Sequence, residues 1–158
     1  MDKRFDVERL LSLGRVGAVA PAPDGTWLAA AVSRVDTARG KFVSEIWRVS
    51  LTGASPPVQL TRGRHSDRVP AFRRDGALAF LSDRPANPDA KDGDTGAQVW
   101  ILPSGGGEPT PLTDEPNGVL EFRFARSADV LVVLAPVFPG VADGEQRAYG
   151  KEDRKSVV

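Results

Sequence analysis

From Val69 to Thr113 the chain reads as four short apolar runs separated by polar punctuation. VPAF and ALAFLS flank the turn Asp75-Gly76, a long polar loop follows, and QVWILP leads through a glycine turn into a run ending at Leu112-Thr113. Asp-Gly between apolar runs is a strong hairpin signal, because glycine adopts positive φ and aspartate hydrogen-bonds its own turn. Four short strands in sequence order predict an antiparallel meander, the unit that forms one blade of a β-propeller.

The unit recurs upstream. Asp24-Gly25 precedes WLAAAVS as Asp75-Gly76 precedes ALAFLS, 51 residues on; Ile46-Trp47 answers Val99-Trp100 at 53, and Leu60-Thr61 answers Leu112-Thr113 at 52. Three landmarks thus agree on a spacing near 52 residues. Downstream, EFRFARSADVLVVLAP repeats the first half of the unit, with Ser127-Ala128 in place of Asp-Gly and no Trp strand after it. The expected fold is all-β: blade 1 over residues 16–61, blade 2 over 66–113 and the start of blade 3 over 118–158, behind a short helix within 1–14. Closed propellers use about 4–8 blades, so 15–158 reads as an incomplete propeller and the chain as the N-terminal piece of a longer protein. Val157-Val158 looks like the opening of another strand.

Asp6 is placed to cap the helix, Val7, Leu10, Leu11 and Leu13 give it an apolar side, and Gly14 ends it. Arg34 to Lys41 reads as a charged loop, Phe42 to Leu51 as a half-buried strand, and Thr52-Gly53 as a turn.

Composition narrows the function classes. Lys plus Arg and Asp plus Glu number 21 each, so no basic excess exists to release counterions from a nucleic acid. Cysteine is absent, which removes disulfides and thiolate metal sites. The opening MDKRFDVERLL lacks the apolar core of a secretory signal. The longest apolar run, Val130 to Phe138, falls short of the roughly 18 residues of a membrane span. A soluble, cytoplasmic protein is expected.

The candidate chemistry is thin. His65, the single histidine, lies between Arg64 and Ser66-Asp67. Catalytic triads are assembled from distant segments, and neighbours on one loop do not usually reach each other in relay order, so His65 reads as a linker residue. Asp89, Asp92 and Asp94 crowd the loop from Asp83 to Gly96 without the terminal Glu of a calcium loop, and read as solvated. Ser104-Gly105-Gly106-Gly107 lacks the Gly-Lys-Ser/Thr of a phosphate cradle and reads as a hairpin turn. Trp47 and Trp100, at matched strand positions, are expected to be buried by packing, and Trp27 is the remaining indole.

With these residues in view, the chain resembles the N-terminal propeller of the prolyl oligopeptidase family of serine peptidases, nearest its acylaminoacyl-peptidase and dipeptidyl-peptidase subgroup. The initial DVERLLSLGRV, the turn Ala22-Pro23-Asp24-Gly25, the strand EIWRVSLTG, the ending Gln59-Leu60-Thr61 and the run Leu78 to Arg84 carry the resemblance. It implies a propeller that gates and helps position short or N-acylated peptides for hydrolysis in a separate α/β-hydrolase domain. The partners it implies are the C-terminal remainder of the same protein, short peptide substrates and further copies in a homo-oligomer, with neither nucleic acid nor membrane. The family's Gly-x-Ser-x-Gly nucleophile motif does not occur here, so no catalytic, cofactor or metal residue is assigned. The alternative is a non-enzymatic propeller that binds a protein partner.

Overall fold

The computed structural model describes residues 6–62, 64–86, 96–146 and 148. The chain clusters into two compact units, Met1–Pro70 and Ala71–Val158. Helix α1 (Val7–Ser12) opens where the Asp6 carboxylate accepts the Arg9 N–H at 2.7 Å, satisfying a donor that has no partner inside the helix. Its apolar residues Val7, Leu10 and Leu11 stay exposed, as does Leu13 after it. Among the described residues no helix is long and apolar enough to cross a membrane.

The first sheet is an antiparallel meander of β1 (Arg15–Pro21), β2 (Trp27–Asp36), β3 (Lys41–Ser50) and β4 (Val58–Gln59). Ala29, Ala30, Ala31, Val43 and Ile46 form its core. The stretch from Arg34 to Lys41, expected as a loop, is half strand and half turn, since β2 and β3 pair out to Asp36↔Lys41 and only residues 37–40 form the turn. Two local features explain the extension. Asp36 Oδ1 accepts the N–H groups of Ala38 and Arg39 at 3.1 and 3.2 Å, and Gly40 supplies φ +62°, so residues 37–40 turn tightly. Arg34 is drawn across the sheet to Glu45, with both its Nε and an Nη 3.0 Å from Oε1.

The second sheet repeats the meander with β5 (Arg68–Phe72), β6 (Leu78–Ser82), β7 (Gln98–Leu102) and β8 (Thr110–Pro111). Every residue of β6 and β7 is buried. A third sheet is a hairpin, β9 (Glu121–Phe124) with β10 (Leu131–Leu134), followed by a 3-10 turn at Asp143–Glu145. The buried Gln146 amide ties residues 138–141 together, accepting the Phe138 N–H at 2.8 Å and donating to the carbonyls of Phe138 and Val141 at 2.9 and 2.7 Å.

Hydrogen bonds identify equivalent positions more sharply than sequence spacing does. Asp24 Oδ1 accepts the Thr26 N–H at 3.0 Å, and Asp75 Oδ1 accepts the Ala77 N–H at 3.1 Å. The turns close where Ala22, Arg73 and Ala125 donate to the carbonyls of Trp27, Ala77 and Val130, so the first and third turns hold one residue more than the second. Ser127-Ala128 therefore replaces Asp-Gly without abolishing the hairpin. Further on, the Ile46 N–H donates to Thr61 Oγ1 at 3.0 Å and the Val99 N–H to Thr113 Oγ1 at 2.9 Å. The segment leaving each four-stranded sheet is pinned alike: Asp67 N–H to the Ser44 carbonyl at 3.0 Å, Val119 N–H to the Ala97 carbonyl at 2.6 Å.

By this alignment Trp47 and Trp100 hold the same place, opposite Ala30 and Phe80. Their burial differs. Trp100 is 8 % exposed against Phe80, while Trp47 is only half-buried, because Ala30 covers little of an indole ring. The Trp47 N–H turns instead to Glu45 Oε2 at 3.2 Å.

Candidate functional site

The residues flagged by sequence fall into structural roles. Asp67 is completely buried, Ser66 Oγ lies 3.1 Å from Ser44 Oγ, and Ser44 Oγ donates to the Asp67 carbonyl at 2.8 Å. A parallel bridge pairs Ser44 with Ser66. The segment containing His65 is thereby stitched to β3, and the position equivalent to His65 is Asn117, 52 residues on. At the glycine run the Gly106 N–H closes on the Pro103 carbonyl at 2.9 Å, and Gly106 and Gly107 adopt φ +84° and +116°; it is the β7–β8 turn. Trp27 lies under the Arg48 guanidinium, 4.7 Å from its ring centre. Arg84 similarly covers both Phe80 and Trp100, at 5.5 and 4.9 Å. Asp89, Asp92 and Asp94 lie outside the described residues. Among the described residues no three His, Asp or Glu side chains gather as a metal-holding group.

One concavity has the dimensions of a small-molecule subsite. An open groove of about 350 Å³ runs between the β5–β6 and β9–β10 turns, lined by Arg73, Arg74, Asp75, Phe124, Ala125, Ala128 and Asp129. Arg73 meets Asp75 side-on, Nε to Oδ1 at 2.9 Å and Nη2 to Oδ2 at 2.5 Å. That bidentate contact, followed by the Ala77 N–H, holds the Asp75 carboxyl down at about 2. Asp75 and then Asp129 push the Arg73 guanidinium up. Arg74 donates to the main-chain carbonyl of Arg126 on the opposite turn, and Phe124 packs edge-on against the buried Phe122, with centroids 6.1 Å apart. The groove is electrically self-balanced, two guanidinium groups against two carboxylates. Among the described residues no serine, histidine or lysine lines it, and its geometry is that of two turns clasped together.

Sequence reasoning passed over Arg73, Arg74 and Asp129. The available signal was Arg74 and Arg126 standing 52 residues apart, each in the turn between two paired strands.

The fold itself is shared. The structure of the AtxE2 isopeptidase in its apo form matches 96 % of this chain and 26 % of that protein, with a TM-score of 0.62 at 16 % identity, which places the chain's architecture beside a peptidase's. Sequence kinship points the same way: the chain is 35 % identical over 121 residues to the uncharacterized peptidase YuxL of Bacillus subtilis, covering 75 % of this chain and 17 % of YuxL. It is 33 % identical over 114 residues to a Streptomyces coelicolor protein designated tricorn protease homolog 2, covering 66 % of this chain and 9 % of that protein. The chain thus spans less than a fifth of either relative's length. No protein-family model matches it.

Proposed function

We propose that the chain is part of a β-propeller capping the α/β-hydrolase domain of a serine peptidase of acylaminoacyl-peptidase type. In this reading the sheets are successive blades, and the propeller admits short or N-acylated peptides while excluding folded proteins. The observation that carries the reading is the kinship of 121 residues with YuxL, a protein named as a peptidase. The recurring meander supports it, because four-stranded antiparallel sheets that repeat in series are the building unit of propellers. Such a scaffold contributes exclusion and positioning, while acyl transfer needs a nucleophile, a base and an oxyanion hole supplied elsewhere.

The test uses the protein as its gene encodes it alongside the 158-residue chain. The gene product should release p-nitroaniline from an N-acetyl-aminoacyl p-nitroanilide and take up a fluorophosphonate at one serine, and the isolated chain should do neither. A gene product that turns over no acylated or free aminoacyl substrate and resists the fluorophosphonate would overturn the peptidase reading in favour of a binding module. Turnover by the isolated chain, lost in His65→Ala, would overturn the assignment of catalysis to another domain.

A further inference from the structure

Two structural demands meet at adjacent residues and create a chemically labile dipeptide. The segment leaving the second sheet turns at residues 115–118, where the Gly118 N–H donates to the Glu115 carbonyl at 3.1 Å. Position 118 admits only glycine, since its φ is +82° and a Cβ there would lie 2.5 Å from the Gly96 Cα. Position 117 holds an amide that fastens the segment after β10. Asn117 Nδ2 donates to the Pro136 carbonyl at 3.1 Å and to Gln146 Oε1 at 3.4 Å. The Pro136 carbonyl can only accept, which fixes the orientation of the Asn117 amide. Asn117 and Gln146 are 8 % and 6 % exposed.

Asn-Gly is the sequence in which asparagine deamidates most readily, because glycine has no side chain to shield its nitrogen from the preceding amide. Asn117-Gly118 is the chain's one such pair. The other asparagine, Asn87, precedes Pro88, whose nitrogen carries no hydrogen to lose. The place of Asn117-Gly118 in the first sheet is taken by His65-Ser66, aligned through the Asp67 and Val119 N–H bonds, so the lability belongs to the second unit.

The reaction consumes only water. Hydroxide takes the Gly118 N–H proton, the nitrogen bonds to Asn117 Cγ, and the Cγ–Nδ2 bond breaks, Nδ2 leaving as ammonia with a proton from water. Water then opens the succinimide. Cleavage at Cγ gives aspartate at position 117, and cleavage at the main-chain carbonyl gives isoaspartate, with the backbone routed through the side chain.

The fold obstructs each step. The Gly118 N–H is committed to Glu115, and Nδ2 is held by two acceptors. Asn117 Oδ1 is buried with no hydrogen-bond partner, so no donor receives the charge that builds there during attack. Once the product forms, the obstruction reverses. A carboxylate has no N–H for Pro136 or Gln146, and a buried unpaired charge is costly. Nor does Gln146 turn to donate, because its amide accepts the Phe138 N–H at 2.8 Å and donates to the Phe138 and Val141 carbonyls at 2.9 and 2.7 Å.

We propose that Asn117-Gly118 is a deamidation site kept closed by the Gln146 clasp: when residues 136–146 lift away, the Gly118 nitrogen attacks Asn117, and the carboxylate formed stops the clasp from closing again. The site is a one-way covalent record of local opening, independent of any peptidase activity.

The test uses the protein as its gene encodes it, beside a synthetic peptide of residues 113–122. Both are aged in mildly alkaline buffer, and conversion at Asn117 is followed by mass spectrometry with electron-transfer fragmentation, which separates aspartate from isoaspartate. Conversion should be at least about tenfold slower in the folded protein than in the peptide, as for other groups that react only after local opening. Gln146→Ala leaves Asn117-Gly118 intact and should raise the protein's rate at least about threefold, while hydrogen exchange at the Val99 amide stays slow. Asn117→Asp, the reaction's product, should lose exchange protection at the Phe138 amide and keep it at Val99. Equal rates in folded protein and peptide would overturn the proposal. So would a Gln146→Ala protein that keeps the parent's rate, or an Asn117→Asp protein that keeps the parent's Phe138 protection. Where Gln146→Ala also loses Val99 protection, the Asn117→Asp comparison decides.

Discussion

Thr113→Val tests whether the threonine that ends each meander fastens the sheet. Thr113 Oγ1 accepts the Val99 N–H at 2.9 Å and donates to Gln98 Oε1 at 2.8 Å. Gln98 and Val99 are both completely buried. Valine keeps the shape and removes the hydroxyl, leaving the Val99 N–H without its acceptor at about 1–3 kcal/mol. The Gln98 carbonyl keeps the Glu115 N–H at 2.9 Å, so losing its second donor adds only about 0.5–1.5 kcal/mol. A total of about 1.5–4.5 kcal/mol is expected. Thr61→Val is an internal control, since Thr61 Oγ1 accepts the Ile46 N–H at 3.0 Å, while Glu45, in the place of Gln98, is held by Arg34 and Trp47 instead. Thr61→Val should therefore cost about 1 kcal/mol less than Thr113→Val. Urea titration with hydrogen exchange at the Val99 and Ile46 amides measures both, and Thr113→Ser should recover most of the loss. If the two valine variants are equally stable, or Thr61→Val is the weaker protein, the clasp does not do what its geometry indicates.

Other expectations concern single positions. Trp100→Ala, which deletes a buried ring packed on Phe80, should cost about 3–5 kcal/mol, and the half-buried Trp47 should cost less; denaturant midpoints of the two variants give the order directly. The Asp75 carboxyl should titrate near 2 in a carbon-detected NMR experiment. Because its folded value is depressed, the pair's contribution is present above the unfolded value of about 3.9 and is lost only as pH falls through the folded one. An Asp75 midpoint near 4 would mean that the Arg73 fork does not persist in solution. Gly118→Ala should destabilise by more than about 1 kcal/mol, because Gly118 sits at φ +82° and a Cβ there would come within 2.5 Å of the Gly96 Cα; thermal melting of this variant beside Gly105→Ala, where a Cβ meets open space, separates backbone packing from chain entropy.

What the sequence disclosed was whatever is fixed within one meander. Asp75-Gly76 marks its turn because both requirements, a carboxylate that accepts the Ala77 N–H and a residue at φ +85°, are met by adjacent residues. The apolar run at β6 and the capped helix at Asp6 are visible for the same reason. Polar residues misled where a side chain finds its partner across a strand: Arg34 reads as loop, yet its ion pair with Glu45 belongs to an extended hairpin. Nor does any local signal mark Val69, a β-branched residue held at φ +53°.

The groove was illegible for a deeper reason. Arg74 looks like any charged turn residue until its partner is known, and that partner is a main-chain carbonyl, which has no residue type to recognise. Gln98 presents the same difficulty. Its amide accepts from Thr113 and the Glu115 N–H and donates to the Glu115 carbonyl at 2.8 Å, linking β7 to the segment that leaves the sheet. In the first sheet that place is taken by Glu45, joined to Arg34 and Trp47 of its own hairpin. A repeat detected by identical letters therefore under-reports its joints, because a joint is satisfied by whichever polar group can reach the neighbouring backbone. The fold survives these exchanges since Gln98 and Glu45 each still find partners, although Trp100 Nε1 and Asn117 Oδ1 are buried without one, and Asp24-Gly25 and Asp75-Gly76 remain as the visible residue of a bonding scheme that is mostly main chain.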